Sequence, residues 1–409
     1  MSRQKSIDKI LNNNLCIGCG LCQSYLGKDK CKMEIKNGFY FPWFLKKISI
    51  KENKDIYSLC PAIHVEADKP QKIWGDLERV YEGWANDNNV RYKASSGGFI
   101  TAIAIYLLET GKVDGVLHVG KVNGEWLHNK LSVSYTKDDI ISKCQSRYAP
   151  SLTLDNIFQI LDKDKSKKYL FIGKPCDIAA IRNILKKYPY YKKQFVLLIS
   201  IFCGGMPSYK SSEEIASLLN KNNSVPISIK YRGEGWPGDC KVIYKDGTSG
   251  SYSYHYSWSK ILSPTIIFRC KICPDGIGVL SDISVGDSWN TKDGYPDFRE
   301  DDGRSLIFVR NSKALKIIQD ALDKKYITLE GKEVSKEEVL VANTLFSSVK
   351  DEKWGFVDKL GNVKVDYKYD RVTEFNEYGF AGVLKDKKWG VLRQDGTVLV
   401  EPIYNLGVH

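Results

Sequence analysis

Residues 168–205, KYLFIGKPCDIAAIRNILKKYPYYKKQFVLLISIFCGG, contain the pattern that decides the fold of this chain. The run Lys168–Ile172 has the short apolar composition of a buried strand, and the turn Gly-Lys-Pro-Cys follows it. We expect Asp177 to cap a helix, and Phe195–Phe202 to form a second buried strand. A strand, a helix and a strand in this order predict an α/β sheet, whose sites lie at the carboxyl ends of its parallel strands.

Further modules are expected on both sides of this segment in the sequence. Its 409 residues exceed one domain of roughly 100–200 residues. We expect a ferredoxin-like α+β module in residues 1–68, an α/β main domain in residues 69–335 and a small all-β repeat module in residues 336–409. A β-rich insertion is expected near residues 225–290.

Composition and charge exclude several classes of protein. The formal net charge is +12, but no nucleic-acid recognition motif accompanies the lysines, so no nucleic-acid partner is expected. The excess lysine favours an acidic protein or an anionic cofactor as partner. The longest apolar runs, Phe99–Leu108 and Phe195–Cys203, are shorter than the ~18 residues of a membrane helix. With no signal-peptide pattern at its start, the sequence predicts a cytoplasmic protein without membrane insertion.

The eleven cysteines point to metal or redox chemistry, because a reducing compartment disfavours disulfides. Cys16, Cys19 and Cys22 form CIGCGLC, and Cys60, followed by proline, stands 38 positions after Cys22. Three closely spaced cysteines and a distant Cys-Pro are typical of a [4Fe–4S] site. Zinc is the alternative, although three cysteines at this spacing crowd a tetrahedral ion. Cys31 is expected to be a core thiol, with a role as the fourth ligand left open.

A second set of four cysteines lies in the main domain: Cys176, Cys203, Cys270 and Cys273. Two of them follow the predicted strands directly, and the other two form Cys-Lys-Ile-Cys. The four could hold a second [4Fe–4S] cluster, or a zinc ion, or they could include buried structural thiols. Cys144 and Cys240 have no such context and stay unassigned.

A glycine-bearing loop precedes the long apolar helix FITAIAIYLLETG. Its residues are Ser95, Ser96, Gly97 and Gly98. Small residues at a helix N-terminus can form a phosphate site, although a plain helix cap has the same composition. The segments at Ser146–Tyr148, with Arg147, and at Tyr231–Gly238, with Arg232, combine cationic and aromatic groups that could hold a ring system or a phosphate. The iron–sulfur context favours a flavin, because flavins join one-electron and hydride chemistry.

Taken in order, the motifs CxxCxxC…CP, ASSGGFITAIAIYLLETGKVDGV, SRYAPS, GKPCDIAAI, FCGG, YRGEGWPG, CKIC and DISVGDSW resemble the coenzyme F420 hydrogenase/dehydrogenase beta-subunit family. The resemblance covers roughly residues 10–335. It implies FAD and [4Fe–4S] clusters, a flavin near Ser95–Gly98 and near Lys174 and Pro175, and a second cluster on the four cysteines of the main domain. Two features depart from the family pattern: a single CxxCxxC triplet, and Gly204 where many relatives have a polar residue.

No histidine has the spacing of a metal site, and His255, in the aromatic SYSYHYSW, is the best candidate for an acid or base. Asp287, in VGDSWN, is expected to pack close to the site and to cap a loop. No catalytic residue is assigned.

The last segment contains an internal repeat. Lys353-Trp354-Gly355 recurs as Lys388-Trp389-Gly390, and Tyr369 recurs as Tyr404, with the same offset of 35 residues. Each copy has the pattern of short strands joined by a turn, and it resembles the WG-repeat family. The module is expected either to bind a protein partner or to be a structural appendage.

Together these features predict an iron–sulfur flavoprotein oxidoreductase. It would pass electrons between ferredoxin, or another iron–sulfur protein, and a two-electron acceptor, either a small molecule or a cofactor, with FMN as the alternative to FAD. The rival hypothesis is a non-catalytic redox-sensing or scaffolding protein whose clusters are structural and whose WG repeats bind partners.

Overall fold

The computed structural model describes residues 6–65, 74–292, 295–334, 346–357, 363–373, 375, 380–393, 396 and 398–404. The chain divides into two compact units, Met1–Lys332 and Glu333–His409. The predicted domain boundaries at 68/69 and 335/336 lie outside the described residues.

A mixed sheet forms the centre of the first unit. Among the described residues it has nine strands in the order β16-β3-β15-β12-β8-β7-β4-β5-β6. These strands are β3 (Arg79–Ala85), β4 (Gly115–Lys121), β5 (Asn129–Ser134), β6 (Ser151–Leu152), β7 (Tyr169–Gly173), β8 (Phe195–Ile201), β12 (Ile283–Asp287), β15 (Ser305–Val309) and β16 (Ile327–Val334).

Five of these strands run in one direction. Strands β12, β8, β7 and β4 are parallel neighbours. Strand β15 is antiparallel to both β12 and β3, so β3 runs in the same direction as β12. The carboxyl ends of β3, β4, β7, β8 and β12 therefore share one edge of the sheet, here called the carboxyl edge.

Helices cover both faces of this sheet. The described helices are α1 (Ile7–Asn12), α2 (Leu21–Leu26), α3 (Ile50–Leu59), α4 (Asn88–Lys93), α5 (Phe99–Glu109), α6 (Lys137–Ile141), α7 (Ile157–Lys163), α8 (Pro175–Lys187), α9 (Tyr209–Leu218), α10 (Tyr254–Tyr256), α11 (Phe268–Lys271) and α12 (Ser312–Asp323). None of these helices has both the length and the apolar character needed to cross a membrane.

The core has two main layers because alternate strand residues face opposite sides of the sheet. Helices α5 and α12 bury Phe99, Ile103 and Ile318 against one face, together with Ile199 of β8. Helices α7 and α8 pack on the opposite face, where Leu198 of β8 lies. The predicted α/β main domain is thus a three-layer arrangement with a mixed sheet.

The N-terminal segment packs within the first unit. It contains α1, α2, α3 and a hairpin of β1 (Cys31–Lys36) and β2 (Phe39–Phe44). The buried amide of Gln23 donates to Asp155 at 2.5 Å, and Lys187 pairs with Asp55 at 2.6 Å, so both α2 and α3 are tied to the main sheet's helices. The segment is mixed α and β, and its ferredoxin-like identity stays a prediction.

A smaller sheet occupies part of the expected β-rich region. Its strands are β9 (Pro226–Lys230), β10 (Cys240–Tyr244) and β11 (Ser249–Tyr252), in the order β11-β10-β9. The chain then turns through α10, a π-helical segment Ser257–Leu262 and a 3-10 turn Ser263–Thr265. Two short strands, β13 (Thr291–Lys292) and β14 (Tyr295–Pro296), form a separate pair.

The start of α8 differs from the expectation. Asp177 is the third residue of the helix rather than its N-cap, because Pro175 occupies the first helical position and Lys174 is the N-cap. The Asp177 carboxylate instead accepts the Lys174 backbone N–H at 3.0 Å. The carboxylate therefore stabilises the helix N-terminus from inside the first turn.

The second unit is all β among its described residues. A three-stranded sheet contains β17 (Phe346–Lys350), β18 (Lys353–Val357) and β19 (Val363–Tyr369). A four-stranded sheet contains β20 (Arg371–Val372), β21 (Phe380–Lys385), β22 (Lys388–Arg393) and β23 (Val398–Tyr404). Trp354 pairs with Tyr369 and Trp389 pairs with Tyr404, so the 35-residue sequence repeat is also a repeat of strand register.

Candidate functional site

The four N-terminal cysteines line one small pocket. Cys16, Cys19 and Cys22 lie in and after the loop that leads into α2, and Cys60 caps the C-terminal end of α3. The other residues around the pocket are mainly apolar: Ile7, Ile10, Ile17, Gly20, Leu21, Met33, Pro42, Ile56 and Pro61. The sequence-distant Cys60 thus joins the triplet, as the spacing predicts.

The loop between these cysteines requires glycine at a position of close approach. Gly18 has φ of +65°, and a Cβ there would lie 2.5 Å from the Tyr40 carbonyl oxygen. Its backbone N–H donates to the Cys16 sulfur at 3.4 Å. The absence of a side chain therefore lets the backbone supply an amide to a thiol, the kind of contact that tunes a metal–sulfur centre.

Burial is the main reason why these thiols are weak acids. It raises the pKa of Cys16 to about 11 and that of Cys60 to about 12, and it raises the pKa of Cys19 and Cys22 well above the usual thiol value. Charge on neighbouring thiolates raises these pKa values further. A group of four buried sulfurs needs a positively charged centre to become four thiolates, and iron or zinc provides that charge.

Cys31 is buried in β1, as expected of a core thiol. Burial raises its pKa to about 12. It packs with the hydrophobic residues of α1 and α3 and does not line the pocket of the four cysteines.

Two of the main-domain cysteines, Cys176 and Cys203, lie at the carboxyl edge, and the segment that carries Cys270 and Cys273 is hydrogen-bonded to the chain at Cys203: the Cys203 N–H donates to the Gly276 carbonyl at 2.8 Å, and the Ile267 N–H donates to the Met206 carbonyl at 3.2 Å. Cys176 follows β7 and Cys203 follows β8, which are neighbouring parallel strands. Burial and the Asp177 charge raise the pKa of the Cys176 thiol, and Cys203 and Cys270 raise it further. Cys273 acts in the same way on Cys270.

A buried ion pair lies against this second group. The Lys174 ammonium contacts Asp177 at 2.8 Å, and the carboxylate also accepts the Thr153 hydroxyl at 2.5 Å. Burial alone would lower the pKa of Lys174, but Asp177 and Cys176 raise it above its ordinary value. Lys174 is therefore a permanent positive charge next to the Cys176 and Cys203 thiols.

Two charged residues lie within electrostatic range of both cysteine groups. Asp177 raises the pKa of Cys19 in the first group and of Cys176 in the second. Arg269, a buried side chain next to Cys270 in α11, donates to the carbonyl of Ala62, two residues after Cys60, at 2.5 Å. Its charge offsets part of the effect of burial, which raises the pKa of both Cys60 and Cys270. The Leu154 N–H donates to the Cys19 carbonyl at 2.8 Å, and the adjacent Thr153 hydroxyl donates to Asp177, so the segments that carry the two groups of thiols are neighbours. Nothing in the sequence pattern distinguishes Arg269 from a surface arginine.

Within the part of the chain that the structure describes, no group of three or more His, Cys, Asp or Glu side chains is arranged so that it could hold a metal ion. In a [4Fe–4S] cluster each of the four cysteine sulfurs binds a different iron, so the four sulfurs stand farther apart than four ligands of a single ion. All eleven cysteines are free of disulfides, which leaves every thiol of both groups available as a ligand.

The predicted phosphate loop makes many internal contacts. Ser96 Oγ donates to the Arg304 carbonyl at 3.0 Å, and the Gly97 N–H donates to Ser305 Oγ at 3.1 Å. A Cβ on Gly97 would lie 2.7 Å from the Gly83 carbonyl oxygen, so this glycine allows close packing on β3. Gly98, with φ of +74°, is the N-cap of α5. Some of the groups expected to bind a phosphate thus already form hydrogen bonds within the protein.

Three predicted cofactor segments nevertheless meet. Ser95 Oγ accepts the Ser146 N–H at 2.7 Å, and the ring centres of Tyr148 and Tyr231 lie 5.8 Å apart. Arg147 Nη1 is 3.4 Å from Asn129 Oδ1, while its buried Nε has no hydrogen-bond partner among the described residues. Burial lowers the pKa of Arg147. Lys174 and Pro175 lie instead with the second group of cysteines.

Arg232 is held in an aromatic cluster. Its guanidinium donates two hydrogen bonds to Asp287, at 2.8 and 3.0 Å, and lies 4.5 Å from the centre of the Tyr254 ring. Trp236 Nε1 donates to the same carboxylate at 2.8 Å, and the Trp236 ring stacks on Trp289 at 4.6 Å. Asp287, expected to cap a loop, therefore neutralises a buried arginine instead. The cluster stands at the carboxyl end of β12.

Of the two histidines His255 and His118, the structure buries His118, which the sequence did not single out. His255, the best candidate from the sequence, is exposed and stacks on Phe298 at 5.0 Å. His118 of β4 is buried, and its Nε2 lies 2.7 Å from Ser134 Oγ. Burial, with help from the Lys143 and Arg147 charges, lowers the pKa of His118 to about 3. Because His118 lies in an apolar strand, the sequence alone does not indicate a functional role for it.

Comparison with known proteins gives three family matches. Residues 80–157 match the coenzyme F420 hydrogenase/dehydrogenase beta subunit N-terminal model, and residues 166–335 match the corresponding C-terminal model. Residues 354–389 match the WG containing repeat.

Individual relatives come from methanogenic archaea. The coenzyme F420-dependent sulfite reductase of Methanocaldococcus jannaschii is 25% identical over 79% of this chain, which spans only 48% of that protein. The coenzyme F420 hydrogenase subunit beta of Methanococcus voltae is 25% identical, covering 59% of this chain and 79% of its own. The F420-reducing [NiFe] hydrogenase complex of Methanosarcina barkeri contains a chain of similar fold, with a TM-score of 0.50 and 22% identity, covering 66% of this chain and 87% of its own.

Replacing Asp287 should destabilise the first unit. The Asp287→Ala variant leaves Arg232 as an unpaired charge with a side chain 3% exposed, and breaking such a pair costs about 3–5 kcal/mol. Urea unfolding of anaerobically prepared protein measures the loss. The control Arg299→Ala breaks an ion pair at a fully exposed arginine and should leave the unfolding curve in place. Equal curves for both variants would contradict the structural role of Asp287.

His118 should make the protein less stable in acid. Its folded pKa of about 3 lies below the unfolded value of 6.5, so protons favour the unfolded chain as the pH falls from 6.5 toward 3. Between pH 7.5 and 5.5, wild type should lose about 1.4 kcal/mol more unfolding free energy than His118→Gln. Urea unfolding at both pH values provides the comparison, and parallel losses in the two proteins would show that His118 is not buried in its neutral form.

Proposed function

Because the chain belongs to the coenzyme F420 hydrogenase/dehydrogenase beta-subunit family, we propose that it is an electron-transfer oxidoreductase subunit with two [4Fe–4S] clusters and a flavin. It would pass electrons between a ferredoxin-like iron–sulfur protein and a two-electron acceptor. The names of its relatives, subunits of F420-dependent hydrogenase and formate dehydrogenase, support an assembly with protein partners and make coenzyme F420 the first acceptor to test.

One observation carries this proposal: hydrogen bonds join the segments that carry the two cysteine groups. Arg269, next to Cys270, donates to the carbonyl of Ala62, two residues after Cys60, at 2.5 Å. The Leu154 N–H donates to the Cys19 carbonyl at 2.8 Å, and the adjacent Thr153 donates to Asp177 at 2.5 Å. Electron transfer between two centres requires that they be neighbours. Two structural zinc sites would have no need of this arrangement. Cys60 is buried and six of the other assigned thiols are partly buried, which limits their contact with water and suits redox centres whose potentials depend on solvent exposure; Cys273 is exposed.

We assign Cys16, Cys19, Cys22 and Cys60 to the first cluster, and Cys176, Cys203, Cys270 and Cys273 to the second. Bound there, the clusters would supply one-electron transfer. Lys174 keeps its proton at Nζ and holds a positive charge beside the second set, while Arg269 places another between the two sets. Both charges favour the more reduced, more negative state of the neighbouring centre.

The flavin is proposed to bind near the meeting point of Ser95, Arg147 and Tyr231, next to Arg232. Gly98 at the start of α5 would face its phosphate, together with backbone amides of the first turn. Arg147 would pair with the phosphate through its unpartnered Nε. When bound, a flavin would supply the exchange between single electrons and a hydride. FAD is the first choice and FMN the alternative.

Residues 336–409 are proposed to bind a protein partner. The supporting observation is the repeated pairing of tryptophan with tyrosine in two successive copies, which gives a regular all-β surface. No described residue of this unit lies among the predicted cofactor or metal ligands.

Loss of one ligand should remove one cluster. Cys19→Ser is expected to lose about four irons per chain and to keep the flavin, since Cys19 lines the first pocket only. Iron, acid-labile sulfide and extracted flavin are measured on protein purified without oxygen. The matched control is Cys31→Ser, a neighbouring buried thiol outside the pocket, which should keep all its iron. Iron loss in Cys31→Ser, with none in Cys19→Ser, would overturn the assignment.

Removing the Lys174 charge should lower the reduction potential of the second cluster. Lys174→Met is expected to change its reduced-to-oxidised ratio at least threefold at a fixed ambient potential, about 30 mV for one electron. A redox titration monitored by EPR separates the two clusters. Lys168→Met removes one exposed lysine at the opposite end of the same strand and should change neither potential. Identical shifts in both variants would show that net charge alone is responsible.

A further inference from the structure

The β1–β2 hairpin has two different faces. Its register places Met33 opposite Pro42, and both line the pocket of the N-terminal cysteines. The next pair along the hairpin, Lys32 opposite Trp43, points to the other side because successive strand residues alternate. One face of the hairpin thus covers the thiols, and the other face is directed away from them.

The outer face combines aromatic and cationic side chains. Its β2 positions are Phe39, Phe41 and Trp43, and its β1 positions are Lys36, Glu34 and Lys32 in the same register. Trp43 is 59% exposed. Leu45, directly after β2, is a further exposed apolar side chain. An exposed aromatic patch with a charged border is the composition of a protein interface.

The charge around this face is strongly positive. Between residues 28 and 54 the chain has eight lysines and three acidic residues. Lys32, Lys36 and Lys47 are exposed, while Lys46 pairs with Asp29 at 3.2 Å. Such a patch attracts an acidic partner and orients it before contact.

The hairpin is also held in place. The Tyr209 N–H donates to the Gly38 carbonyl at 3.0 Å, and Ser208 Oγ lies 3.4 Å from the Asn37 carbonyl that it donates to. The turn is therefore fixed to the start of α9. A partner bound to the outer face would be separated from the thiols by the hairpin alone, at a fixed distance.

We propose that the outer face of the β1–β2 hairpin is the docking surface for an acidic one-electron iron–sulfur protein, which exchanges electrons with the centre at Cys16, Cys19, Cys22 and Cys60. Each transfer moves one electron from the partner's reduced cluster to this centre, or back, without forming or breaking a covalent bond. The inference rests on the proposed function, because it requires a redox centre in the N-terminal pocket. It adds the surface at which electrons enter the protein and the charge of the partner protein.

The test compares a protein reductant with a small one. Full-length protein purified without oxygen is mixed in a stopped-flow instrument with a reduced acidic bacterial 2[4Fe–4S] ferredoxin, or with reduced methyl viologen. The variants are Lys32→Glu/Lys36→Glu and Trp43→Ser. We expect each to slow reduction by ferredoxin at least tenfold, and to leave reduction by methyl viologen within twofold of wild type. Added salt should slow the ferredoxin reaction of wild type.

A charge-matched control lies elsewhere on the first unit. Lys221→Glu/Lys245→Glu reverses the charge of two exposed lysines, one after α9 and one after β10, and should be reduced by ferredoxin at the wild-type rate. Wild-type ferredoxin rates in both hairpin variants would overturn the docking surface while leaving the proposed function intact. Absence of reduction by either reagent would overturn the proposed function itself.

A membrane is the competing partner for lysines beside exposed aromatics. Sedimentation with vesicles of phosphatidylcholine and phosphatidylglycerol distinguishes it. Vesicle binding that is lost in Trp43→Ser, with ferredoxin rates unchanged, would reassign this face to a lipid surface and contradict the proposal. No vesicle binding, with the tenfold loss of ferredoxin rate, supports it.

Discussion

The burial of two neighbouring groups of thiols is the constraint on which the site depends. Buried thiolates are costly, and those brought close together repel one another. Fixed positive charges offset this cost. Lys174 lies beside the second group, and Arg269 lies within electrostatic range of both. Asp177 in turn holds Lys174 in place from the first turn of α8. Removing any of these charges changes the electrostatic balance around the thiols.

The carboxyl edge of the sheet explains why the predicted site residues gather in one region. Strands β3, β7, β8 and β12 end there, and each is followed by part of the site. The glycine loop follows β3, with α4 between them. Lys174 and Cys176 follow β7, and Cys203 follows β8. Asp287 is the last residue of β12. Residues separated by nearly two hundred positions meet because parallel strands share an edge.

The sequence predicted features that depend on local pattern. The strands after residues 168 and 194, the helix after Gly98, the family and the 35-residue repeat all follow from periodicity or motif order, and the family and repeat are confirmed. Features set by long-range packing were missed. Asp287 pairs with Arg232 from 55 positions away, and Arg269 reaches Ala62 across 207 positions. Asp177 lies in the first turn of α8 rather than at its N-cap because Pro175 occupies the first helical position.

The decisive measurement is the metal and flavin content of the protein. Iron, acid-labile sulfide, zinc and extracted flavin are measured per chain after purification without oxygen. We expect about eight irons, as many sulfides, and one flavin. About four irons with flavin would leave one cluster and contradict the paired arrangement. Zinc in place of iron, without flavin, would contradict the oxidoreductase function and favour a scaffolding protein.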